Sequence, residues 1–216
     1  MKTEVMEKSG QTTMDRTAAE IISESLPKAI GYGMYREMVH QLASEGKTTG
    51  PDQTASLVNY TQLNNRRLKR WDKTLRLSEE QKAQITLSEK KMTWLVLTES
   101  WCGDAAPSMP VMNRIAELNP NIDFKILLRD ENLELMHRFK TKGALSIPKL
   151  IALDTESGEV IADWGPRSGG ATKMVEAYKK EHGKLSPEFK EDLQLWYNSD
   201  KGQDILKDLL ELLALK

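Results

Sequence analysis

The apolar run Trp94-Leu95-Val96-Leu97 constrains the fold more than any other stretch of this chain. It is continuous, short and unbroken by alternating polar residues, which is the pattern of a central strand covered on both faces. Upstream the period is helical. Apolar residues recur at helical spacing from Thr13 to Leu26 and from Lys28 to Ala43, with Pro27 suited to a helix start and Gly46 to a helix stop. Gly50-Pro51-Asp52 reads as loop. Asp52 to about Arg76 reads as one long helix or two abutting ones, with Leu68, Trp71 and Leu75 on one face and Arg66, Lys69, Arg70 and Lys73 on another. That basic stripe is either a solvated helix face or a dock for an anion or acidic partner. Ser78 and Gln81 have the spacing of a capping box, predicting a short helix toward Leu87. Residues 1 to about 12 are polar and aperiodic and read as a frayed tail.

Downstream of the run, helix is predicted from about Gly103 to Leu118. Ile122, Phe124, Ile126 and Leu128 then mark a second strand ending at Arg129, with Asp130 placed to cap a helix running to about Lys140. A helical crossover makes these two strands parallel. Leu150 to Leu153 and Glu159 to Asp163 flank the hairpin turn Asp154-Thr155-Glu156-Ser157-Gly158, and helix returns from about Ala171 to His182. Two further amphipathic helices follow. Ser186 caps the first, which reaches Asn198 with Pro187 at its first position, and the second spans Gln203 to Leu213. Leu193, Trp196, Tyr197, Leu206, Leu209, Leu210 and Leu213 are available either to extend the core or to form a homodimer contact. The reading divides the chain at residues 1–88, a helical N-terminal extension, and 89–216, an α/β domain with a C-terminal helical addition.

Composition removes several classes of function. The 216 residues carry 31 basic and 32 acidic side chains, so there is no global attraction to nucleic acid or anionic membrane. No apolar run approaches the roughly 18 residues of a membrane span, and the first thirty residues have no secretory pattern. One cysteine excludes an intramolecular disulfide and suits a reducing compartment, so a cytoplasmic location is expected. His40, His137 and His182 are scattered and, with one cysteine, give no zinc spacing, so no metal is expected. Gly169-Gly170 is too short to cradle a phosphate.

The single thiol is Cys102, in Trp101-Cys102-Gly103-Asp104-Ala105, between the central strand and a predicted helix start. Backbone N–H groups and the positive end of a helix dipole favour thiolate there, whereas Asp104 opposes it; the balance predicts an accessible thiol titrating at roughly 6 to 8.5. The alternative is a buried small hydrophobe. The motif resembles the Trp-Cys-Gly-Pro-Cys site of thioredoxins, with aspartate for proline and alanine for the second cysteine. Ser146-Ile147-Pro148 lies where thioredoxins carry a cis-proline, its proline 46 residues beyond the thiol, and Pro110 matches the proline that bends their first helix. Asp163-Trp164-Gly165-Pro166-Arg167 extends the likeness to a bacterial group of thioredoxin-like proteins with a Cys-Gly-Asp-Ala site and a helical N-terminal extension. The resemblance implies a thioredoxin-like fold, a mixed sheet flanked by helices, in agreement with the order of elements read from periodicity.

The resemblance also implies a groove at Ile147 and Pro148 in which a partner's extended backbone pairs. It marks Trp101, Gly103 and Asp104 as residues that shape the site. Thioredoxins place a buried acid in the strand before the motif to manage the second thiol's proton; the position here is Val96. Resolving thiol and buried acid are missing together, which leaves three readings open. Cys102 is a monothiol exchanger using an external thiol such as glutathione, with no bound cofactor. Alternatively it is a thiol or peroxide sensor, or the protein is a redox-inactive module that binds through the groove. Partners would be protein or small-molecule thiols and disulfides. Arg129, Trp164 and Arg167 are candidates for substrate binding, each also explicable as an ion-pair or packing residue.

Overall fold

The computed structural model describes residues 16–214. The tail predicted over residues 1 to about 12, and the first residues of the helix predicted from Thr13, lie outside that range. Nine helices and four strands are present among the described residues. Their order positions one loop, the turn from the central strand into its following helix.

The N-terminal part is helical. Helix α1 (Ala18–Ser25) starts at Thr17, whose hydroxyl accepts from the Glu20 N–H while the Glu20 carboxylate accepts from the Thr17 N–H. Such a reciprocal cap satisfies two donors that a helix start otherwise leaves unpaired. Helix α2 (Tyr32–Glu45) begins later than the predicted Lys28. Leu26–Lys28 form a single 3-10 turn containing Pro27, and Ile30 then bridges to Ile126 through two backbone hydrogen bonds of 2.9 and 2.8 Å. Covering a strand edge outweighs four more residues of helix, because an open edge leaves N–H and C=O groups unpaired. Gly46, in the left-handed conformation, ends α2.

The long amphipathic segment is one helix, α3 (Ala55–Thr74), capped by Thr54 and buried through Leu68 and Trp71. Arg66, Lys69, Arg70 and Lys73 are all exposed on its outer face. Helix α4 (Glu79–Thr86) carries the capping box read from Ser78 and Gln81.

Strand β1 (Met92–Thr98) is buried along its whole length. Helix α5 (Ala105–Leu118) follows, then β2 (Ile122–Leu128), which alternates on its first residues as a strand with one covered face does. Helix α6 (Leu133–Arg138) is shorter than predicted, and Asp130 does not cap it. The Asp130 carboxylate pairs with Arg129 instead, and Asn132 occupies the cap position while donating back to the Leu128 carbonyl. Strands β3 (Lys149–Asp154) and β4 (Val160–Trp164) make the predicted hairpin, whose turn is held by the Asp154 carboxylate accepting from the N–H groups of Glu156 and Ser157.

The sheet order is β2-β1-β3-β4, with β1 parallel to β2 and antiparallel to β3, and β4 antiparallel to β3. Helices α7 (Gly169–His182), α8 (Pro187–Asp200) and α9 (Gln203–Leu213) complete the chain. Helix α5 packs on β2, α3, α4 and α9, while α7 touches both α8 and α9. Leu193, Tyr197, Leu206, Leu209 and Leu213 are buried within this one chain, so the C-terminal helices extend the core. No helix among the described residues is long and apolar enough to cross a membrane.

Candidate functional site

Cys102 lies in the turn that joins β1 to α5, and that turn is fixed from below by a buried hydroxyl cluster. The Ser100 side chain bonds the Thr61 hydroxyl at 2.8 Å and accepts from the Thr49 N–H at 3.0 Å, while the Ser100 N–H donates to the Thr49 hydroxyl at 2.9 Å. Asn64 donates to the Ser100 carbonyl at 2.9 Å. These bonds tie α3 and the loop before it to the residues leading into the thiol. Thr61, Asn64 and Ser100 are nearly inaccessible to solvent, so each bond replaces water that cannot reach them.

Two residues on, Cys102 itself is only 6% exposed. Its thiol donates to the Ile147 carbonyl at 3.2 Å, and the Ile147–Pro148 peptide is cis. Burial pushes the thiol up to about 12, and the Asp104 carboxylate adds to that rise. The N–H groups of Ala105 and Asp104 and the charge of Arg167 pull the other way without prevailing. The expected accessible thiol titrating at roughly 6 to 8.5 is therefore corrected. A helix start does favour thiolate here, but desolvation of the charged form outweighs it.

Asp104 stands at the N-cap of α5, yet its side chain makes no capping bond. Its carboxylate pairs with Arg167 at 2.6 Å and accepts from the Tyr197 hydroxyl at 3.2 Å. Burial raises the Asp104 carboxyl from its ordinary value, and Arg167 resists that rise. Gly103 offers its carbonyl to the Gln194 side chain at 3.1 Å. Helix α8 is thus laid over the motif by two polar contacts. Nothing local in the sequence announces this, because Gln194 and Tyr197 look like ordinary residues of an amphipathic helix.

Trp101 is half-buried, and the Arg129 guanidinium lies over its ring, 4.8 Å from the centroid. Arg129 also pairs with Asp130 at 2.7 Å. Trp164 is placed elsewhere: its indole donates to Asp208 of α9 at 2.9 Å, and it does not line the space above the thiol. It is a packing residue, which corrects its candidacy for substrate binding. Next to it, Gly165 has a φ of +116°, and a Cβ there would lie 2.2 Å from the Pro148 carbonyl oxygen. Only glycine lets the end of β4 approach the Pro148 backbone so closely.

The space above Cys102 is a cleft of about 750 Å³. Its floor comes from Trp101, Cys102, Gly103 and the Ser146–Ile147 segment; its walls come from α3, through Leu57, Tyr60 and Arg67, and from α8. Arg129 and Arg167, the candidates for binding a ligand, line it, whereas Pro148 is buried and does not. Tyr60, Arg67 and Lys190 are lining residues that sequence reasoning missed, since the helices bearing them meet only in the folded chain.

A family model described as thioredoxin matches residues 50–179, a span that takes in α3 and α4 as well as the sheet. No curated protein matches the chain in sequence. Among solved structures, a protein of unknown function from Pseudomonas aeruginosa aligns at a TM-score of 0.54 and 18% identity, covering 69% of this chain and 82% of its own. An HIV epitope-scaffold aligns at 0.53 and 18% identity, covering 80% of this chain and 94% of its own. Both likenesses are of fold. The family match, which covers more than half of the chain, shows that this chain belongs to the thioredoxin-like superfamily, and the sheet order around β1 agrees with it.

Proposed function

We propose that the protein carries out monothiol thiol-disulfide exchange at Cys102, with an external thiol doing the resolution. The observation that carries this reading is the placement of Cys102 on the floor of a cleft, 3.2 Å from the carbonyl of the residue before Pro148. In the free protein that carbonyl accepts from the thiol. An incoming extended backbone that pairs at Ile147 would bring its own N–H to the same oxygen, and the thiol would lose the partner that favours its neutral form.

The chemistry then balances in two exchanges. Cys102 gives up its proton, its thiolate attacks one sulfur of a substrate disulfide, an Sγ–S bond forms, and the other half leaves as a thiolate that takes a proton. A second thiolate from outside attacks the substrate sulfur of this mixed disulfide and releases Cys102. The substrate disulfide is the oxidant consumed and the external thiol the reductant. No cysteine elsewhere in the sequence can take the second part. A reducing compartment such as the cytoplasm supplies such thiols.

A second reading is favoured by one observation, the buried thiol with its pKa pushed up to about 12. On that reading the protein is a binding module that has kept the groove without redox chemistry. Incubation with hydroxyethyl disulfide followed by intact mass measurement distinguishes the two. Exchange predicts one adduct, absent in Cys102→Ser and released only when a thiol is added. Folded protein that forms no adduct with this or a model peptide disulfide, yet binds extended peptides, overturns the exchange reading and supports the module. Oxidation of Cys102 by dilute peroxide without any disulfide adduct would instead identify a sensor.

A further inference from the structure

The cleft above Cys102 is lined by more positive charge than the fold uses. Arg129 and Arg167 point into it already paired, with Asp130 and Asp104. Arg67, Lys179 and Lys190 also line it, and among the described residues none of the three has a carboxylate within salt-bridge distance. Arg67 is the telling one. It is half-buried on α3, and its one side-chain hydrogen bond goes to the neutral Asn64 oxygen at 3.1 Å. Burial lowers its pKa, Arg70 and Arg66 add to that, and Tyr60 and the more distant Glu191 resist without forming a pair, so its charge is only partly compensated. Glu191 is the only lining carboxylate besides Asp104, and it stays beyond pairing distance of Arg67. Across the cleft Lys190 sits 5.7 Å from the Tyr60 ring centroid, so its charge is held at the rim by an aromatic face.

We propose that Arg67 of α3, Lys179 of α7 and Lys190 of α8 form an anion-binding subsite where these helices line the cleft, and that the disulfide exchanged at Cys102 is a small molecule bearing carboxylates. The second half of this statement rests on the exchange reading; the first half does not. The volume of about 750 Å³ suits a ligand of a few tens of heavy atoms. Leu57, Leu63 and Leu193 line the same space and would cover its methylene groups. Helix α8, bonded to Gly103 through Gln194, narrows the approach for a folded partner while leaving the cleft open to a small one. In the first exchange the ligand's carboxylates would sit among the unpaired cations while one of its sulfurs meets Cys102 Sγ. One half of the ligand then leaves as a thiolate that takes a proton.

The test compares adduct formation at Cys102 by three disulfides of different charge: glutathione disulfide (net negative), hydroxyethyl disulfide (neutral) and cystamine (positive). Each rate on the native full chain is divided by the rate on the same protein in denaturant, which removes intrinsic reactivity. The proposal expects the normalised rate for glutathione disulfide to exceed that for cystamine by about tenfold or more at low salt, with the advantage shrinking in high salt. Arg67→Gln should slow glutathione disulfide severalfold more than it slows the neutral probe; the exposed Lys190→Gln, which does not depend on a half-buried site, should do the same. Equal normalised rates for all three probes, or a neutral peptide disulfide that outpaces glutathione disulfide, overturn the proposal while leaving exchange intact. Binding of S-methylglutathione, a thioether that cannot exchange, is measured in parallel on Cys102→Ser by calorimetry. Binding that Lys190→Gln weakens, in a protein that reacts with no disulfide, upholds the subsite and rejects exchange; absence of binding rejects the subsite.

Discussion

Alkylation of Cys102 as a function of pH is the sharpest test of how the thiol is held. A thiol pushed up to about 12 from its ordinary 9 is ionised at pH 8 to about one part in ten thousand, against about one in eleven for an unperturbed one. Only the thiolate reacts with iodoacetamide, so the native rate at pH 8 should be about a thousandfold below that of the same protein in denaturant. Burial, with 6% of the residue exposed, can only widen the gap. The rate should climb about tenfold per pH unit with no plateau below pH 10. Stability should respond in the same window. Because the folded value lies above the unfolded one, the stabilisation is complete below about pH 9 and is lost as pH rises toward 12, at about 1.4 kcal/mol per unit from this group. Rates would be followed by intact mass on quenched samples. A plateau below pH 9, or native labelling within tenfold of the denatured rate, would refute the claim that desolvation outweighs the helix start.

Asp104→Asn removes the second cause of the raised thiol pKa and leaves Arg167 facing Cys102, so native alkylation at pH 8 should accelerate by about tenfold or more; an unchanged or slower rate in a folded variant would contradict the assignment. Ser100→Ala strips the bonds to Thr61 and the Thr49 N–H and leaves buried groups unsatisfied, at an expected cost of about 2 kcal/mol in urea unfolding. A loss below about 0.5 kcal/mol would mean that the cluster does not hold the turn. Gly165→Ala forces a Cβ to 2.2 Å from a backbone oxygen at a positive φ, and should cost about 3 kcal/mol or more by the same measurement. A change within about 1 kcal/mol would show that β4 can move away from Pro148.

Elements whose signal is local were legible in the sequence. The apolar run around Trp94 gives a strand buried on both faces, the Ser78 and Gln81 pair gives a reciprocal cap, and the hairpin turn forms around Asp154. Where local and long-range demands compete, the local reading fails. Lys28 does not open a helix because Ile30 is taken by the edge at Ile126; Asp130 fails to cap α6 for a local reason instead, since the adjacent Arg129 takes its carboxylate. The same limit applies at the site. The position of Cys102 before a helix was readable from spacing, whereas its protonation depends on burial, to which the Ile147 segment contributes from 45 residues along the chain, while Tyr197 holds the neighbouring Asp104 from 93 residues away. Arg67 is the clearest case. On a helical wheel it is one more cation in a basic face, and only the arrival of α8 turns it inward to a cleft.

The two departures from the dithiol motif are connected through α8. Aspartate stands where thioredoxins have proline, and its carboxylate is what Tyr197 and Arg167 grip; a proline there would offer α8 nothing to bond. Alanine stands where the second cysteine would be, and that position, the first residue of α5, is 2% exposed. A thiol there would face the same desolvation that holds Cys102 neutral, so an internal disulfide would gain little from a second thiol slow to ionise. The helix laid over the motif also builds a wall of the cleft in which, on the exchange reading, an outside thiol would take the resolving part. Arg167 joins the two. It neutralises Asp104 in the free protein, and a ligand carboxylate reaching it would compete with Asp104 for the same guanidinium, placing the anion's arrival and the thiol's electrostatics under one residue.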